Sequence, residues 1–316
     1  MKPLRLIPDD TKIPFMRVSR FGFLGSGILC VLSVLLFVFV GLHYGIDFKG
    51  GVVMTVRTEQ PANLDELRTK IDSLGLGNAE LQEFGSPNDV LIRLPRQEGA
   101  DPEKAQQDAV SKVKAVLGPG VDYRSIEAVG PKVSGELAHQ SIIAVLVAMV
   151  GVLIYIWFRF EWQFAVGAIV CLFHDVLLTI GLFCLIDIEF NLSIIAAILT
   201  IVGYSLNDTV VVFDRIREYM RKYKQMPLAD LIDVSTNSVL PRTILTSMTT
   251  LIALFALYIF GGEVIRGFNF AMIWGVFVGT YSSIFIASPI LILLGARSEA
   301  VALSPAKTAA PAGARS

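Results

Sequence analysis

Apolar residues along the chain gather into six long runs: Phe21–Leu42, Ser141–Phe158, Phe164–Ile186, Leu192–Phe213, Thr243–Phe260 and Phe268–Leu294. Short polar breaks separate them, except for one long polar stretch, Tyr44–Gln140, between the first and the second. The hydrocarbon core of a bilayer is about 30 Å thick and takes roughly 20 apolar residues in helical form to cross. Each run therefore predicts a transmembrane helix. The second and fifth are short, and the sixth is long enough to tilt. The first run predicts a retained span. Its polar leader is 20 residues long, its apolar part exceeds the usual h-region of about 7–15 residues, and no small-x-small cleavage site follows it.

Within Tyr44–Gln140 the period changes. Val52–Thr58 predicts a strand. Asn63 then caps a helix whose apolar face is Leu64, Leu67, Ile71 and Leu74, with Glu66 at the capping-box position. Ala79–Phe84 and Val90–Leu94 predict short strands around the turn GSPND. Asp101 and Pro102 open a second helix, Gly118 stops it, and Val121–Val129 is the last strand. This order is a split βαβ, or ferredoxin-like, arrangement. The expected fold class is thus a multi-pass α-helical membrane protein with six transmembrane helices and one α+β ferredoxin-like periplasmic domain between helices 1 and 2. The scaffold implies no chemistry by itself, and no catalytic triad or metal spacing stands out in it. Contact with a polypeptide or another subunit is its expected use.

Composition agrees with this picture. The chain has 316 residues, of which 53% are hydrophobic and 17% charged, and a mean hydropathy of +0.62. A net charge of -1 gives no argument for a nucleic-acid partner. Cys30, Cys171 and Cys184 all lie inside apolar runs and read as small buried side chains. Lysine and arginine set the orientation. The leader carries Lys2, Arg5, Lys12, Arg17 and Arg20, and the connection after the fourth run carries Arg215, Arg217, Arg221, Lys222 and Lys224. On the opposite side, Asp187–Asn191 and Gly261–Gly267 carry only Arg266. Both termini are thereby expected in the cytoplasm. Trp157 and Trp162 bracket the short cytoplasmic turn between the second and third spans, where interfacial aromatics belong.

Candidate chemistry lies inside the membrane. The stretch GYSLNDTVVVFDR places Asn207 and Asp208 in an otherwise lipid-compatible run. Asp208 falls about 24 Å from the outer start of the fourth span and about 8 Å from its expected inner end, at ~1.5 Å per residue. A carboxylate at such a depth costs about 2.5 kcal/mol or more, and such residues are rare and by default functional. Arg242, after Pro241 at the expected start of the fifth span, is near the same membrane face and within reach if the two helices are neighbours. Thr246, Thr249 and Thr250 share its face and offer hydroxyls for water or a proton relay. A packing ion pair is the plain alternative. His174 and Asp175 form a second polar pair in the third span, with a packing role ahead of proton transfer because no matching cation is visible. No Gly-x-x-x-x-Gly-Lys-Ser/Thr loop is present, so work must come from an ion gradient or a partner.

Five motifs in order carry a resemblance: GIDFKGG (Gly45–Gly51), VGPKVSGEL (Val129–Leu137), FRFEWQFA (Phe158–Ala165), GYSLNDTVVVFDRIRE (Gly203–Glu218) and RTILTSMTT (Arg242–Thr250). Together they resemble the SecF branch of the SecD/SecF family, in the resistance-nodulation-division superfamily, from about Met16 to Gly295. The resemblance implies a non-enzymatic accessory subunit of the Sec translocase in the bacterial inner membrane. With SecD, beside the SecYEG channel and often YajC, it would use the proton-motive force in late steps of preprotein export. It implies no cofactor, and it puts the proton path on Asp208, Arg242 and Thr246; Asn207, His174 and Asp175 are candidate supporting polar residues on the reading of the residues alone. Gly50 and Gly51 have a plainer reading as the turn from helix to strand. Two rival expectations are half of a proton-coupled small-molecule exporter and a purely structural subunit that stabilises SecD. The expected division is a cytoplasmic segment 1–20, helix 1 at 21–42, a periplasmic domain at 43–140, helices 2–6 at 141–294 and a disordered cytoplasmic tail at 295–316.

Overall fold

The computed structural model describes residue 8 and residues 11–296, apart from 98, 100 and 187. Most of the expected tail, and Lys2 and Arg5 of the leader, lie outside the described residues. Among the described residues, six helices are long and apolar enough to cross a membrane. They are α1 (Phe15–Phe39), α5 (Pro131–Arg159), α6 (Trp162–Leu185), α7 (Leu192–Lys222), α8 (Leu228–Phe260) and the composite α9 (Arg266–Ser282) with α10 (Ser288–Leu293). Between α9 and α10 the last span passes through a π-helical turn, Ser283–Ala287. The numbers α2–α4 fall in the chain between α1 and α5: α2 (Ile46–Lys49), α3 (Leu64–Asp72) and α4 (Pro102–Leu117).

Several helices outrun their apolar runs. The second span begins at Pro131 rather than Ser141, because Pro131 at the first helical turn follows Gly130 directly. The fourth continues past Phe213 to Lys222, and the fifth begins at Leu228, so Arg242 and Pro241 sit inside α8 and not at its start. Hydropathy marks where a helix meets lipid, whereas hydrogen bonding continues into water wherever the sequence stays helix-compatible. The short second and fifth spans are thus full-length helices. The first ends early, at Phe39.

The spans divide into centre and rim. Of the most apolar window of each, 67% is buried in α9–α10, 56% in α6 and 50% in α7, against 17%, 11% and 6% in α8, α1 and α5. The central three approach closely through small residues, as helices must where lipid gives no hydrophobic drive to associate. A Cβ on Gly275 of α9 would overlap Ile201 of α7, and one on Gly279 of α9 would stand 3.1 Å from Ser205 Cβ of α7. At the end away from the α+β domain, α8 caps α1: Met16 N–H donates to Asp233 Oδ1 at 2.8 Å and Ile13 N–H to Asn237 Oδ1 at 3.0 Å. FRFEWQFA is a packing corner there. Phe160 and Phe164 meet Phe213 edge-on, and Arg159 and Arg217 lie over the Phe160 ring at 4.9 and 5.6 Å.

The polar stretch folds as expected in order: β1 (Gly51–Thr58), α3, β2 (Glu80–Phe84), β3 (Ser86–Leu94), α4 and β4 (Val121–Val129). The sheet is antiparallel with strand order β2-β3-β1-β4. Asn63 and Asp101 cap α3 and α4 through their side chains, and Gly118 ends α4 at φ 77°. Two details differ. The chain reverses at Gly85, φ 82°, so most of GSPND is already strand β3. Gly85 takes the left-handed conformation a tight reversal needs, and Asp89 is then free to pair across the sheet. Its carboxylate holds Arg57 of β1 at 2.6 and 2.5 Å. GIDFKGG also contains a one-turn helix, α2, that periodicity gave no sign of.

Candidate functional site

Asp208 lies on the inward face of α7, 3% exposed, and its Oδ2 has no hydrogen-bond partner among the described residues. Its neighbours on the helix explain the orientation. Ser205, Thr209 and Val212 are all buried, so the face that packs on α6 and α9 carries Asp208 with it. Asn207, one position earlier and about 100° round the helix, is exposed. The two polar residues of the motif therefore point to different surroundings.

Arg242 is close enough to act on Asp208 through space, but among the described residues no salt bridge joins them. Arg242 is exposed and Thr246 half-buried. The threonine hydroxyls are turned back on their own helix. Thr246 Oγ1 donates to the Arg242 and Thr243 carbonyls at 3.0 and 2.9 Å, and Thr250 Oγ1 to Thr246 O at 2.9 Å. Structure thus puts Asp208 and Arg242 in one neighbourhood without closing the ion pair, and leaves the hydroxyls parked.

His174 and Asp175 are joined directly, Nδ1 to Oδ1 at 2.8 Å, and both are buried. Asp175 is the hub of a network that sequence reading missed. Its Oδ2 accepts from Ser205 Oγ of α7 at 2.5 Å and from Ser282 Oγ of α9 at 2.8 Å. Cys171 donates its thiol to Ser282 Oγ at 3.2 Å. Ser282 is the residue before the π-helical turn, a device frequent at functional sites. One carboxylate therefore ties all three central helices together, one turn from Asp208 on α7.

Two family models match the chain: protein export membrane protein SecD/SecF, C-terminal, over residues 109–297, and the SecD/SecF GG motif over residues 35–62. The chain belongs to the SecD/SecF family. SecD/SecF relatives include the protein translocase subunit SecF of Rhodobacter capsulatus, 47% identical over 92% of this chain and 92% of that one. SecF of Vibrio alginolyticus is 42% identical over 93% and 94%. The SecDF subunit of Brucella abortus is 43% identical over 92% of this chain, which spans 38% of that longer protein. Among solved structures, SecDF from Thermus, described as a translocon-associated membrane protein, superposes with a TM-score of 0.81 at 34% identity. It covers 93% of this chain, and this chain covers 40% of it. A SecDF structure in a super-membrane-facing form gives a TM-score of 0.68 at the same identity. Six apolar helices and this SecD/SecF membership make the chain a multi-pass inner-membrane protein of the protein-transport machinery.

The GG-motif match covers the end of α1, α2 and β1. Here the plain reading of the glycines accounts for them. Gly50 and Gly51 take φ 72° and 137°, and a Cβ on Gly51 would lie 2.6 Å from Leu94 O. Only hydrogen fits there, so β1 can start hard against the end of β3. Asp47, in the middle of GIDFKGG, was not singled out from sequence. It accepts from the backbone N–H of Leu192, the first residue of α7, at 2.9 Å.

Proposed function

We propose that this chain is an accessory subunit of the Sec translocase which, together with SecD, couples the proton-motive force to late steps of preprotein export. The observation that carries the reading is Asp208: a carboxyl group at membrane depth, buried on the face between central helices, with an oxygen that lacks a partner among the described residues and a guanidinium nearby that forms no salt bridge with it. A carboxylate kept there as packing would be expected to have its partners closed around it, as Asp175 has. An open carboxyl is suited to taking up and releasing a proton, and its change of charge alters the pull of Arg242 and biases the packing of α7 against α8. On this reading Thr246 turns its hydroxyl from its own helix toward water or Asp208. One charge crossing 100 mV releases about 2.3 kcal/mol, enough to tip a two-state bundle.

The relatives named SecDF, in which a SecF-like part is fused into a longer chain, support SecD as the partner. So does the surface. Thr200 and Asn207 on α7, with Arg242 and Thr249 on α8, are exposed at positions that lipid would otherwise meet. We assign this face to SecD. On this reading the α+β domain at 43–140 is periplasmic, both termini are cytoplasmic, and the SecYEG channel, YajC and the emerging preprotein are the further partners. Asn207 belongs with the SecD face, and His174 and Asp175 with packing.

The test is preprotein translocation into inverted membrane vesicles carrying SecD and either the native chain or Asp208→Asn, with and without a proton gradient, with subunit levels checked by blot. Loss of the gradient-stimulated part at normal levels is expected. Unchanged stimulation would make Asp208 a packing residue and sink the proton-carrying role.

A further inference from the structure

The α+β domain is joined by the chain to α1 at one end and, through Gly130, to α5 at the other, and it is fastened to α7 by contacts. After α1 the chain passes Gly41, at φ 78° with open space around it. From His43 onward it is fastened. Phe190 N–H donates to His43 O at 2.7 Å and Gly45 N–H to Phe190 O at 3.0 Å, forming a short parallel bridge beside the start of α7. The rings of Tyr44, Phe48 and Phe190 stand 6.1 Å from one another. Asp47 Oδ2 then takes the Leu192 N–H, one of the donors at a helix N-terminus that has no partner within the helix, and its charge opposes the positive end of the helix dipole. A second fastening comes from the sheet. Arg93 Nε of β3 lies 2.9 Å from Glu189 Oε1, off the axis of a hydrogen bond, three residues before α7. Burial lifts the pKa of Glu189 and Arg93 pulls it back, so this pair fixes position more than it stabilises. From α2 the chain enters β1 through Gly50 and Gly51, wedged against Val129 O and Leu94 O at the ends of β4 and β3.

We propose that the α+β domain rides on α7: Asp47 and the Arg93–Glu189 pair form a strut that carries displacement of the Asp208-bearing helix into the sheet, while Gly41 lets α1 stand still. The path has no loose segment. It runs about 24 Å along α7 from Asp208 to Leu192, crosses to Asp47, and continues through α2 into β1, the strand paired with both β3 and β4. Asp47, Arg93 and Glu189 are positioning residues that act through α7. The assignment rests on the proton-coupling reading of Asp208, and the experiment separates the two.

The same vesicle assay is run with SecD and full-length variants. Asp47→Ala combined with Glu189→Ala is expected to lose the gradient-stimulated part of translocation while the gradient-independent part and the copurifying SecD stay at native levels. If that pair fails to accumulate, Asp47→Ala alone replaces it. Asp47→Asn, whose Oδ1 still accepts the Leu192 N–H, is expected to keep stimulation. So is an insertion of two glycines between Val40 and Gly41. Loss on insertion, or stimulation retained without the strut while Asp208→Asn lacks it, overturns the proposal. A second arm does not depend on Asp208. Cysteines replacing Arg93 and Glu189 are bridged by a short bis-maleimide. A domain that rides on α7 keeps gradient stimulation when bridged, and a domain that must move against α7 loses it. Stimulation retained in Asp208→Asn removes the proton reading, and the bridged pair then decides the strut alone.

Discussion

Replacing Asp175 by alanine removes the acceptor for three groups at once: His174 Nδ1, Ser205 Oγ and Ser282 Oγ, at 2.8, 2.5 and 2.8 Å. Two of these bonds cross between helices. Interhelical hydrogen bonds in membranes are worth about 0.6 kcal/mol on average and up to about 1.7 kcal/mol each. Asp175 is fully buried, so no water replaces them, and the orphaned His174 adds to the loss. The expected cost is about 1–3 kcal/mol. Asparagine is different. With its oxygen at the Oδ2 position it still accepts from both serines, and its amide donates to His174 Nδ1, because a neutral imidazole can carry its proton on the other nitrogen. Asp175→Asn should therefore cost under about 1 kcal/mol. The assay is thermal stability of the detergent-solubilised complex with SecD, followed by the fraction that remains assembled, with gradient-stimulated translocation measured beside it. A packing hub gives a clear loss of stability for alanine, near-native behaviour for asparagine, and stimulation that follows stability. Alanine as stable as the native chain would refute the hub. Asparagine stable but devoid of stimulation would place Asp175 on the proton path instead.

Three further outcomes follow from the same structure. Asp208→Asn should abolish gradient stimulation at normal subunit levels, as measured in vesicles. The Arg57 pair and Ser86 hold the Asp89 carboxyl down to about 2, below its ordinary value of about 3.9. A depressed carboxyl stabilises the fold above the ordinary value and loses that contribution as pH falls from about 4 toward about 2, so Asp89→Asn should cost on the order of 1 kcal/mol at neutral pH and nothing at the acid end; circular-dichroism melts of native chain and variant over that range check it. Gly275→Ala pushes a methyl into the Ile201 side chain and should cost about 1–3 kcal/mol, with Ile201→Ala in the same chain restoring much of the lost thermal stability.

Sequence alone determined the fold class, because bilayer thickness and side-chain periodicity act locally. Six apolar runs, the Asn63 and Asp101 caps and the Gly118 stop were all readable without knowing any neighbour. It also picked out Asp208, since a carboxyl in an apolar run is visible whatever surrounds it. Helix ends were less legible: nothing apolar marks Pro131 as the start of α5 or Lys222 as the end of α7, because backbone hydrogen bonds continue after lipid contact stops. Tertiary structure decided everything that needs two distant segments. Asp175 and Ser282 are 107 positions apart, and Asp47 and Leu192 are 145 apart, so neither contact leaves a periodic trace. A serine in a span reads as a small packing residue until its acceptor is known, and an aspartate before two glycines reads as part of a turn. Likewise, only the packing showed that Asp208 and Arg242 are near without being paired, because the face a helix buries is settled by the helices beside it.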